Sequence, residues 1–135
     1  MRLFAPALII ALSTCLLGCP PSVEPTLSSI QENIFSPGCN FDGCHDSSAG
    51  GELSLEPGNS FAQLVNVAPD DTTAQGDGYL RVDPGSPSTS YLYLLLDPDT
   101  VPAYAELMPK TPPVAIDPDE LEAVRLWIEE GAQDN

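Results

Sequence analysis

The feature that most limits how this 135-residue chain can fold is how often its backbone is interrupted. Breaks fall at Cys19-Pro20-Pro21, Ser36-Pro37-Gly38, Asp83-Pro84-Gly85, Asp97-Pro98-Asp99, Met108-Pro109 and Pro112-Pro113. Proline has no N–H to donate and its ring crowds the preceding turn, so each break ends or kinks a helix. Only short helices fit between them. Residues 26–35 place Leu27, Ile30 and Ile34 at helical spacing with Phe35 flanking the same face. Ser29 with Glu32 offers a capping box, Thr26 and Ser28 are alternative caps, and Ser36-Pro37-Gly38 is the expected stop. Residues 60–67 form a second candidate, with Phe61, Leu64 and Val65 turned inward. Residues 88–96 form a third, burying Tyr91, Leu92, Leu95 and Leu96. The most strongly marked helix spans 117–130: Asp117 as cap, Pro118 in the first turn, Glu120 completing an acidic capping box, and Leu121, Val124, Trp127 and Ile128 as the apolar stripe. Gly131 is placed for a left-handed C-cap.

Between these helices, residues 46–59 read as a polar loop in which Leu53 and Leu55 alternate. Residues 69–78 read as an acidic turn, 79–82 as extended, and 100–116 as irregular and proline-rich. The expected fold class is all-α, three to four short helices with long loops. Loops of this length in a compact domain usually wrap something or serve a site.

The first 18 residues read as a signal peptide rather than as part of the fold. Arg2 precedes an apolar run, residues 3–17, that is too short for a comfortable membrane span. The run ends in Leu16-Leu17-Gly18-Cys19, which resembles a bacterial lipoprotein processing site; Cys19 would carry the lipid, and Cys15 would leave with the peptide. Residues 19–25 then form a proline-rich tether and 26–135 the folded domain. The alternative is an ordinary secretory cleavage near Gly18 or Cys19. Export implies an oxidising compartment, which permits disulfides. With 20 acidic and 4 basic residues the formal net charge is −16. Such a surface repels nucleic-acid phosphates and anionic headgroups, so no nucleic-acid partner is expected.

One stretch carries the chemistry: Cys39-Asn40-Phe41-Asp42-Gly43-Cys44-His45. It holds the single histidine and two of the four cysteines. Two thiols followed at once by a histidine is the arrangement that attaches haem c, the thiols adding to the vinyl groups and the imidazole binding iron. The usual spacer is two residues; here it is four. Two other readings stay open. Cys39 and Cys44 would make a plain disulfide in an exported protein. Alternatively, both with His45 and a carboxylate from Asp42 or Asp46 would form a metal site, without the paired ligand spacing zinc usually takes. Asp70-Asp71 and Asp97-Pro98-Asp99 lack the spacing of a calcium loop. Catalysis is not expected, because Cys44 and His45 are chain neighbours and no Ser-His-Asp set, phosphate loop or dinucleotide fingerprint is present.

The order of pieces resembles a single-haem cytochrome c-like domain of the kind found in exported and lipid-anchored proteins of myxobacteria and planctomycetes. The pieces are Ile34-Phe35, the Cys39–His45 stretch, Gly51-Glu52-Leu53-Ser54-Leu55, Arg81-Val82-Asp83-Pro84-Gly85-Ser86-Pro87 leading to Ser90-Tyr91-Leu92, Met108-Pro109, and Leu126-Trp127-Ile128-Glu129-Glu130-Gly131-Ala132. The resemblance implies haem c bound through thioethers at Cys39 and Cys44, His45 as proximal iron ligand, and Met108 as distal ligand. It also implies first and last helices crossing near the haem edge, with Trp127 in the contact. Arg81, on charge alone, is a candidate partner for a haem propionate; the plainer reading is a surface ion pair. The implied function is one-electron transfer to a redox partner protein from the periplasmic side of a bacterial membrane, reached through the lipid anchor at Cys19. Pro20 in place of a retaining aspartate favours the outer membrane. The rival is a haem-free cytochrome-like scaffold or binding lipoprotein with a Cys39–Cys44 disulfide.

Overall fold

The computed structural model describes residues 23–48, 53–110 and 115–135. The expected signal peptide and Cys19 lie outside the described residues. Within them the protein is all-α, with two isolated bridges and no longer strand. The elements are α1 (Leu27–Ile30), a π-helical turn (Gln31–Phe35), α2 (Ser36–Gly38), α3 (Ser60–Leu64), α4 (Thr72–Gly76), a 3₁₀ turn (Pro87–Thr89), α5 (Tyr91–Leu96) and α6 (Pro118–Glu129).

The first three elements run on as one rod over residues 27–38, past the expected stop. Thr26 caps it, its Oγ1 accepting the Ser29 N–H at 3.3 Å. The Ser36 N–H bonds to the Gln31 carbonyl, five residues back. That wider turn eases the clash Pro37 would otherwise make with the preceding turn, so the rod carries through the proline. The added residue also delivers both Ile34 and Phe35 to the core, beside Leu27 and Ile30.

α3 stops at Leu64 rather than Val67, because the backbone beyond it pairs with the extended segment 80–82. Val82 N–H donates to Leu64 O at 3.0 Å, Asn66 N–H to Val82 O at 2.9 Å and Arg81 N–H to Val67 O at 2.7 Å. The other edge of that segment binds residues 89–92, through Tyr91 N–H to Leu80 O and Leu92 N–H to Arg81 O. These bonds hold Ser90 extended and delay α5 to Tyr91. α5 buries Tyr91, Leu94 and Leu96, so Leu94 takes the core position expected of Leu95. α4 falls where an acidic turn was expected: Asp71 accepts the Thr73 and Ala74 N–H groups, and Ala74 is its one buried residue.

α6 forms as expected, with the Asp117–Glu120 capping box and Gly131 at φ +103°. It packs against α1 and α5. Val124, Trp127 and Ile128 are buried, together with Ala123. The Trp127 indole N–H finds the Gln133 carbonyl at 2.9 Å. Asn135 then caps α1, its Oδ1 accepting from Leu27 N–H (3.0 Å) and its carbonyl from Ser28 N–H (2.8 Å). Val23, in the expected tether, is instead part of this core at 3% exposure.

Candidate functional site

The Cys39–His45 loop begins where the rod ends. Cys39 and Asn40 N–H groups both bond to the Phe35 carbonyl, at 2.9 and 2.8 Å, closing the helix. Gly43 takes φ +78°, a left-handed position, and lets the chain turn so that Cys44 N–H reaches Phe41 O at 2.8 Å. His45 N–H then returns to Cys39 O at 3.2 Å, tying the two ends of the loop together.

His45 is fixed from the other side by residues 53–55. Leu55 N–H donates to His45 O at 2.7 Å, and His45 Nδ1 lies 3.3 Å from Leu53 O. A carbonyl oxygen can only accept, so Nδ1 is the donor in this contact and Nε2 is the ring nitrogen left for another partner. Leu55 is buried in the core with Leu53 packed against it. Gln31, on the π-helical turn, clamps the same segment: its Nε2 donates to Leu55 O at 2.9 Å and to Ser36 Oγ, while its Oε1 accepts from Ser60 Oγ. The imidazole orientation is therefore set by a chain of contacts running back to the first helix.

The two thiols differ. Cys39 is half-buried against the core, with Sγ 3.7 Å from Ile34 O. Burial pushes this thiol up to about 11, with nearby Cys44 and Glu120 adding to the shift. Cys44 is exposed, and both cysteines are free thiols in the structure, not a disulfide. Phe41 between them is 54% exposed. Ser48 gathers the loop carboxylates, its Oγ bonding to Asp42 at 3.0 Å and Asp46 at 2.7 Å. Asn40 Oδ1 is buried with no hydrogen-bond partner among the described residues.

Met108 is half-buried against the core, and its N–H donates to Leu95 O at 2.7 Å. Arg81 forms the expected ion pair, with exposed Asp70 as its partner, but its own guanidinium is buried rather than on the surface. It is 8% exposed, donating to Asp70 at 2.6 Å and to Gln63 O at 2.9 Å, so its guanidinium braces α3 to the acidic turn. Asp70 is thereby engaged with Arg81, and Asp71 with the α4 cap. No three His, Cys, Asp or Glu side chains converge as a metal site among the described residues. A cleft of about 300 Å³ borders Leu27, Gln31, Ser60 and Phe61, and one of about 70 Å³ borders Val23 and α6; neither touches the Cys39–His45 loop.

The residues around His45 fit an imidazole that would hold a haem iron. A metal-binding histidine commonly donates its second ring nitrogen to a carbonyl, which fixes the tautomer and leaves the other nitrogen for the metal. The Leu53 carbonyl supplies that partner. No side-chain motif marks it in the sequence, since the acceptor is backbone; the only hint is Leu53 and Leu55 alternating eight and ten residues beyond His45.

Fold and loop together define an all-α domain with a dithiol–imidazole loop at the end of its first helix. No family model, curated protein or solved structure matches the chain.

Proposed function

We propose that the protein is a one-electron carrier with one covalently bound haem c, exported and held by a lipid on Cys19 at the periplasmic side of a bacterial membrane, the outer membrane favoured. Cys39 and Cys44 would hold the haem by thioethers, and His45 Nε2 and Met108 would hold its iron. The group supplies reversible one-electron chemistry; the chain orients it and shields it. A thioether opposite imidazole favours ferrous iron and raises the reduction potential. With His45 and Met108 both holding the iron, no position would be left for substrate, which suits a carrier rather than an enzyme. The partner is a redox protein, not nucleic acid.

The observation that carries this reading is the Nδ1–H bond from His45 to Leu53 O at 3.3 Å. An isolated loop histidine has no need of a defined tautomer, whereas an iron ligand does. The fold type adds support: short helices around a small core would gain a large apolar surface from a haem. The absence of a membrane-length helix among the described residues is compatible with lipid anchorage and does not require it.

A haem-free scaffold is favoured by one observation, the Cys39 side chain already packed against the core. The pyridine haemochrome spectrum separates the two readings, taken with a haem-stained denaturing gel on protein exported from a host with cytochrome c maturation. Covalent haem that vanishes in a Cys39→Ala/Cys44→Ala double variant is the expected result. Colourless protein from two such hosts, one close to the natural source, sinks the electron-carrier reading in favour of the scaffold.

A further inference from the structure

Cys39 and Cys44 stand at opposite ends of one loop and are not equally free to react. Cys44 sits exposed on the turn its N–H closes onto Phe41 O. Its side chain can meet a large planar reactant without disturbing the core. Cys39 ends the helical rod with its N–H bonded to Phe35 O, its Sγ against Ile34 O and its side chain packed on the core. To react, Cys39 must leave those contacts, and the last turn, residues 36–38, must loosen with it.

Resting on the haem reading above, we propose that the two thioether bonds form in a fixed order, Cys44 first and Cys39 second. In each, the Cys Sγ bonds to the vinyl carbon next to the ring, the thiol hydrogen passes to the terminal vinyl carbon, and the C=C bond becomes a single bond. Nothing leaves and no outside oxidant or reductant is consumed. Joining Cys44 first places haem beside the adjacent His45 and makes the second addition intramolecular, so proximity offsets the cost of drawing Cys39 out of the core.

The test uses the full chain, reduced and haem-free, mixed with ferrous haem under anaerobic conditions and followed by intact mass and peptide mapping. Early adducts are expected at Cys44. Of the two single variants, Cys44→Ala should form its remaining bond about tenfold more slowly than Cys39→Ala, access limiting the half-buried thiol. Early adducts at Cys39, or equal rates in the two variants, overturn the order while leaving the haem reading intact. No covalent haem on the wild-type chain, here or in a maturation host, overturns the haem reading and the order with it. Alkylation of the haem-free protein guards against variants that fail to fold. Cys44 should be modified before Cys39 in the native state and at a similar rate in denaturant; equal native rates overturn the asymmetry itself.

Discussion

At the scale of single residues, the site is built from side chains whose surroundings decide their chemistry. Cys39 and Cys44 are the same residue type five positions apart, yet one is drawn into the core and the other faces solvent. The Cys39 thiol is pushed from its ordinary 9.0 up to about 11, chiefly by burial. The unfolded chain therefore releases this proton first as pH climbs. The folded state should lose stability from about pH 9 toward about pH 11 and be indifferent to this group below that window. Urea midpoints of the reduced, haem-free protein across that range check it. Burial pushes Tyr91 and Tyr93 up as well, so the difference between wild type and Cys39→Ser isolates the thiol; parallel curves would contradict the buried placement. Met108 has its own test once haem is bound. Met108→Ala should leave attachment intact, abolish the sulfur-to-iron absorption band and lower the reduction potential. An unchanged band assigns the sixth position to another residue.

At the scale of elements, caps and turns decide where each helix stops. α6 is marked at both ends, by the Asp117–Glu120 box and by Gly131, and its bounds follow from those residues. Asp117→Ala should cost about 1 kcal/mol by chemical denaturation, a usual value for removing an N-cap. α4 hangs on Asp71, whose carboxyl is held below its ordinary value of 3.8 first by the Ala74 N–H and then by Thr73 and Tyr91. Its stabilisation is present above that ordinary value and lost as pH falls through the lower folded one. Protection of the Thr73 and Ala74 amides, measured against their intrinsic exchange rates at each pH, should fall on acidification while α6 stays protected; simultaneous loss of both would show that α4 has no separate stability.

At the scale of the whole molecule, the core is small, and α6 packs on α1, α5 and the 3₁₀ turn. Trp127 is 1% exposed and belongs to the core cluster, so Trp127→Ala should cost about 3–5 kcal/mol, enough to unfold a marginal domain of this size. Loss of far-ultraviolet helical signal at room temperature is the expected readout. The net charge of −16 works against compaction. The described cations are locally engaged, Arg81 with Asp70, Lys110 with Glu106, and Arg125 with Glu122 and Glu129. Raising salt toward about 0.15 M, where screening acts over about 8 Å, should raise the thermal midpoint. A midpoint that falls would mean the local pairs outweigh the global repulsion.

The residues alone determined the helical class, the last helix from Asp117 to Gly131, the packing of Trp127 and the place of the Cys39–His45 loop at the end of the first helix. Each of these is written in short-range chemistry: a cap, a proline, a glycine, apolar residues at helical spacing. What they left open depended on contacts between distant segments. Pro37 did not stop the first helix, because a π-helical turn made room for it. Val65 to Val67 left the helix to bond with residues 81–82, which no local propensity encodes. Arg81 turned inward because Asp70 and the Gln63 carbonyl were there to receive it. The tautomer of His45 and the burial of Cys39 likewise belong to tertiary structure, since both depend on chain brought alongside by folding: a backbone carbonyl eight residues on for one, a packed core for the other.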